Sequence, residues 1–117
     1  MIAYRYGSRT SDNLTPRLGK DTIGRPGQSP GVSLYSTPQA KGKSQRIDLT
    51  QLQLPLAAFP DSLGQGGSSG HFSIAPIDPS GAVDNNLLEQ WALSRGSGRT
   101  HPLTQVLLDA IVGEVKI

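Results

Sequence analysis

The stretch from Gly7 to Gly31 constrains this chain more than any other part of it. It is polar and crowded with turn formers, including Arg25-Pro26-Gly27 and Ser29-Pro30-Gly31, and it carries the cations Arg9, Arg17, Lys20 and Arg25. Every buried backbone N–H and C=O must find a partner, and such a segment supplies no regular ladder or helix of its own. Irregular segments of this length in small domains serve a function or stay disordered. The regular elements must therefore come from the residues on either side of it.

Those flanks read as short strands. Ile2–Tyr6 alternates apolar and polar residues with two tyrosines, and Val32–Ser36 repeats the pattern until Pro38 ends it. Asp48–Phe59 holds Leu49, Leu52, Leu54, Leu56 and Phe59 in a period that fits a short helix or an extended run. Asp61–Gly70 is a Gly/Ser-rich loop. His71–Pro76 alternates cleanly, with Phe72 and Ile74 on one face and His71 and Ser73 on the other.

The remainder reads as two helices that close the chain. Asn86-x-x-Glu89 resembles a capping box ahead of a stripe of Leu87, Leu88, Trp91 and Ala92. Leu103, Val106, Leu107, Ala110 and Ile111 form the second stripe. Thr100 or His101 serves as its cap, Pro102 fits its first turn and Gly113 its stop. The expected class is α+β, a small antiparallel sheet packed with two C-terminal helices. With 117 residues, one domain spanning 1–117 is expected.

The chain has no cysteine, which excludes disulfides and thiolate-bound metals. No run approaches the ~18 apolar residues of a membrane span, and the first residues are no signal peptide. Residues 1–47 carry eight Lys or Arg against Asp12 and Asp21, a net of +6; residues 48–117 carry a net of −4. A basic loop-rich half joined to a mixed half points to a polyanion or an acidic protein as partner.

The residues suited to catalysis are few. Only His71 and His101 titrate near neutrality, and both follow Gly-rich approaches. Metal-independent RNA cleavage needs a base for the 2′-OH, an acid for the leaving oxygen and a cation at phosphorus. His101, at a helix N-terminus, is the expected base and His71 the acid, with Arg5 as cation and Thr104 as a hydroxyl donor near the same helix start. Arg9, Arg17, Lys20, Arg25, Lys43, Ser73 and Arg99 are the expected RNA contacts. No metal and no cofactor is needed on this reading. Motifs for zinc proteases, Walker loops and nucleophile elbows are absent from the sequence.

Four blocks together resemble a known group: Tyr4-Arg5-Tyr6-Gly7-Ser8-Arg9, Gly31-Val32-Ser33, Gly70-His71-Phe72-Ser73-Ile74-Ala75-Pro76 and His101-Pro102-Leu103-Thr104-Gln105. They are similar to the C-terminal toxin tips of Rhs-repeat and contact-dependent-inhibition (CdiA) proteins of bacteria. The resemblance implies export as part of a larger carrier, action in the cytoplasm of a target cell, and a cognate immunity protein, for which the basic half predicts an acidic face. It also implies a barnase/EndoU/colicin/RelE-like fold and an RNase activity, commonly on tRNA.

A second resemblance points elsewhere. Tyr4-Arg5-Tyr6-x-Ser8-Arg9 also resembles the first motif of pertussis- and cholera-type ADP-ribosyltransferases, and Val32-Ser33-Leu34-Tyr35-Ser36-Thr37 resembles their Ser-Thr-Ser strand. That likeness implies Arg5 as the NAD-binding residue, Ser36 as its support and Glu114 as the catalytic acid. Such an acid belongs on a strand or its adjoining loop, whereas Glu114 is expected just past a helix stop. The transferase therefore ranks second, and a non-enzymatic binding module with a basic loop third.

Overall fold

The computed structural model describes residues 1–39, 41–61 and 70–117, and most of the expected Asp61–Gly70 loop lies outside them. The chain is α+β. Six strands, β1 (Ile2–Tyr6), β2 (Val32–Tyr35), β3 (Lys43–Asp48), β4 (Leu56–Asp61), β5 (His71–Pro76) and β6 (Ile111–Lys116), form one antiparallel sheet in the order β4-β5-β2-β1-β3-β6. Helices α1 (Asn85–Leu93) and α2 (Pro102–Asp109) lie between β5 and β6 in the chain.

Register pairs share a face of the sheet, which sorts the side chains. Val32 pairs with Ile74, Leu34 with Phe72, and Ala3 with Ile47. These residues join Leu14, Leu88, Trp91, Leu103 and Leu107 in one apolar core, so the helices cover this face. The opposite face carries Tyr4, Tyr35, His71 and Ser73.

Two expectations about the second half need correction. The first helix is capped by Asp84, whose carboxylate accepts from Leu87 N at 3.0 Å, rather than by an Asn86–Glu89 box. The second helix stops at Asp109, with Ala110 as its C-cap, and the chain closes on β6 instead of a helix. Ile111 sits on the apolar stripe of α2, yet it pairs with Ile47 because the open edge of β3 takes Ile111–Lys116 as a sixth strand. Gly113 therefore lies inside a strand opposite Arg46, and ends no helix. Among the described residues, no helix is long and apolar enough to cross a membrane.

Candidate functional site: a cationic cleft where the sheet splits

Five register pairs join β1 to β3 and four join β2 to β5, but β1 and β2 meet through Tyr4↔Tyr35 alone. Beyond that pair the two central strands part. Gly7, at φ +106°, turns the chain away from the sheet, a conformation that residues with a Cβ avoid. The Asn13 side-chain amide fixes the turn by donating to Tyr6 O and Ser8 O, each at 2.9 Å.

Arg5 occupies the gap. Its Nε donates to Asn13 O at 2.9 Å and its Nη1 to Ser33 O at 3.1 Å, so one guanidinium ties the long loop to the side of β2 that β1 leaves unpaired. Burial lowers its pKa, and Arg17 and Arg95 lower it further by repulsion, while Asp21 opposes them. Arg5 therefore sits in a largely buried, cation-rich setting in which Arg17 and Arg95 oppose its charge and Asp21 offsets them.

These groups line a cleft of about 710 Å³, whose walls hold Arg5, Arg17, Lys41 and Arg95 together with Tyr6 and Tyr35. Cations of this kind hold phosphates through paired hydrogen bonds, and flat aromatic faces accept heterocyclic rings. The arrangement suits a nucleotide that carries more than one phosphate.

The expected histidine pair is not brought together. His71 is 2% exposed. Its Nδ1 lies 2.8 Å from Asp61 Oδ2, and its ring meets Tyr35 edge-on at a centroid distance of 4.9 Å. Ser73 Oγ lies 2.6 Å from the same carboxylate oxygen and 2.8 Å from Ser29 O, while Ser29 N donates to Asp61 Oδ1 at 2.9 Å. The acid stands between serine and histidine, the reverse of a hydrolytic triad, where imidazole must bridge. The cluster fastens the end of the basic loop to β4 and β5.

His101 belongs to the helix layer on the other side of the sheet. It caps α2, its Nδ1 accepting from Leu103 N at 3.0 Å, and burial lowers its pKa. The lone pair that a general base would use is occupied by the cap. Thr104 is fully buried, accepts from Trp91 Nε1 at 2.8 Å and meets the Thr15 hydroxyl at 2.6 Å. It is a packing residue of the helix layer.

The other expected contacts are dispersed. Arg17 lies in the cleft, and Lys20 and Arg25 line a hollow beside it. Arg9 reaches Leu108 O at 3.4 Å, near the C-terminus of α2, and Arg99 lines a separate shallow hollow with Thr100. Lys43 pairs across strands with Lys116, and Ser73 is fully buried. Ser36 N donates to Gly70 O at 2.7 Å, which sets Ser36 beside the start of β5. Glu114 lies on a strand after all. The register Arg5↔Gln45↔Glu114 puts it on the face of Arg5, and Gln45 Nε2 donates to its Oε1 at 2.7 Å. It is nonetheless two strands from Arg5 and outside the cleft lining.

Tyr35, Lys41 and Arg95 are cleft residues that the sequence reading passed over. Tyr35 had a visible signal, since strand alternation sets it opposite the apolar Leu34. Lys41 and Arg95 had none, because loops bring them in. Among the described residues, no three of His, Asp and Glu gather as a metal site. Comparisons with protein-family models, curated proteins and solved structures find no match to this chain.

Proposed function

We propose that the Arg5 cleft binds NAD and that the chain is an ADP-ribosyltransferase toxin. The observation that carries this reading is the Arg5 guanidinium bridging the parted strands β1 and β2, with Arg17, Lys41 and Arg95 around it and Tyr6 and Tyr35 beside it. Arg5 is the residue that the transferase resemblance assigns to NAD.

In this reading Arg5 and its neighbouring cations hold the pyrophosphate, and a tyrosine ring packs on the nicotinamide. The C1′–N bond breaks with its electron pair leaving on nicotinamide. The acceptor atom then bonds to C1′ and gives its proton to water. The cations contribute by holding a dianionic linker in a fixed pose, so that the reacting carbon meets the acceptor in one geometry. Glu114 is the acid that the resemblance names; its strand position removes the objection raised from sequence, although it stands outside the cleft.

The two-histidine RNase loses its support, because one ring is sealed against Asp61 and the other caps a helix on the far side of the sheet. Delivery by a larger exported carrier, and neutralisation by an immunity protein with an acidic face, belong to the same proposal. The cationic cleft is the surface such a partner would cover.

The test is expression in bacteria without an immunity gene, together with incubation of purified protein with NAD labelled in its adenylate half and cell lysate. Growth arrest with intact total RNA and transferred label supports the reading. Degraded RNA without transferred label refutes it in favour of a nuclease.

A further inference from the structure

We infer that a cationic trough running from the Arg5 cleft through Arg17 to Lys20 and Arg25 binds single-stranded nucleic acid, which serves as the acceptor of the transferred group. Arg17 is the hinge of the observation. It lines the Arg5 cleft, a hollow of about 620 Å³ shared with Lys20 and Arg95, and a third of about 280 Å³ shared with Lys20 and Arg25. The three hollows therefore adjoin one another around Arg17.

Arg17 is also held in place. Its Nε and Nη2 donate to Asp21 at 3.1 and 3.2 Å, and its backbone N donates to the same carboxylate at 2.7 Å. The Asp21 side chain is 11% exposed and is committed to this pair, whereas 48% of the Arg17 side chain stays open to a ligand.

Charge decides that the trough is built for more than the dinucleotide. Arg5, Arg17, Lys20, Arg25, Lys41 and Arg95 line it against Asp12 and Asp21, a surplus of four positive charges. A pyrophosphate linker neutralises about two. The remainder lies along the trough, on Lys20 and Arg25, where a second polyanion would run.

The walls favour a nucleic acid over a plain run of carboxylates. Leu18 (51% exposed) and Ile23 (59%) stand beside the cations, and Tyr6 (50%) stands at the cleft. Exposed apolar and aromatic surface interleaved with Lys and Arg gives unpaired bases faces to lie on while the cations track the phosphates. A run of carboxylates has no use for those faces. The role as acceptor rests on the transferase reading; the binding itself does not.

The experiment uses the full chain and fluorescence anisotropy with a labelled ten-nucleotide single strand, as RNA and as DNA of the same sequence, over a salt series, with poly-glutamate as competitor. Three contacts, at Arg17, Lys20 and Arg25, predict a log–log salt slope near −2, at about 0.7 per phosphate. The double variant Lys20→Glu/Arg25→Glu should bind at least tenfold more weakly and reduce the slope by about 1.4. Lys20→Ala/Arg25→Ala serves as a check if charge reversal disturbs folding, which far-UV circular dichroism reports.

Tighter binding of the RNA would name RNA as the strand the trough prefers, and equal binding would name single strands in general. Failure of both strands to bind, an unchanged variant, or poly-glutamate competing as well as either strand would overturn the trough. With labelled NAD added, label on the oligonucleotide supports its role as acceptor, and label on protein alone overturns that role. Strand binding without label on the oligonucleotide or, when cell lysate is added, on any lysate component removes the transferase reading and leaves the binding inference standing.

Discussion

Nη1 of Arg5 donates to the carbonyl oxygen of Ser33 at 3.1 Å, across a gap where the strands that carry these two residues no longer pair. An arginine side chain thus does part of the work of a ladder hydrogen bond in the middle of a sheet. It can do so because β1 and β2 separate after Tyr4↔Tyr35, leaving a β2 carbonyl to be satisfied from elsewhere.

Arg5 therefore has two separable duties. Arg5→Ala leaves two carbonyl oxygens without their donor and should cost about 1–3 kcal/mol. Arg5→Lys retains the charge with its donors on a single nitrogen, so it should recover part of that stability. Lysine lacks the planar fork, so both variants should lose NAD binding by at least a hundredfold. Urea unfolding and calorimetric titration read the two effects separately. A lysine variant that binds NAD normally would detach the cleft from the proposed function.

His71 should matter to folding rather than to chemistry. Its ring and the Asp61 carboxylate are each 2% exposed, and with Ser73 they hold Ser29, the end of the basic loop. His71→Ala should lower stability by about 1–3 kcal/mol, since it strips a buried carboxylate of a partner. NAD turnover per folded molecule should fall much less than in Arg5→Ala. A folded His71→Ala protein without any turnover would return this imidazole to the site.

The cap made by His101 predicts a pH dependence. Burial lowers the pKa of this ring in the folded chain, and the capping Nδ1 accepts a hydrogen bond from Leu103 N, so the native state prefers neutral imidazole. The unfolded chain then binds more protons as pH falls. Stability contributed by the cap is present above the ordinary histidine pKa of about 6.5 and is lost as pH drops through and below it. His101→Ser keeps a capping oxygen and cannot titrate. The stability difference between wild type and His101→Ser should move in favour of the serine variant between pH 7 and 5, measured by urea midpoints. A difference independent of pH would contradict the role of the cap.

Thr104 provides a contrast between packing and catalysis. Thr104→Val removes the acceptor for Trp91 Nε1 and the partner of the Thr15 hydroxyl, both buried, at a cost of about 1–3 kcal/mol. Thermal denaturation should register the loss while NAD turnover of the folded protein is unchanged.

What the sequence disclosed follows from how local each cause was. β1 and β5 are legible because alternation with period two is written into Ile2–Tyr6 and His71–Pro76 themselves. β3 escapes notice because its buried positions include Ser44 and Gln45, each 1% exposed. Gln45 is tolerable there only because Gly7 O and Glu114 accept from its amide, and both partners are distant in the chain. β6 was hidden by a coincidence of period, since Ile111 continues the stripe of α2 and only the vacant edge of β3 decides for a strand. The cleft was least legible. Arg5 was singled out from its motif, but the opening beside it depends on two strands ceasing to pair, and no residue announces that.

The most direct measurement is a titration with ADP-ribose followed by NMR, with Arg Nε–H and Tyr ring resonances observed together. The Arg5, Arg17 and Arg95 Nε–H resonances should shift together and saturate at one ligand concentration, with the His101 ring unmoved. If those resonances stay in place while others respond, or if ADP-ribose does not bind, the cleft where the sheet splits is not a dinucleotide site.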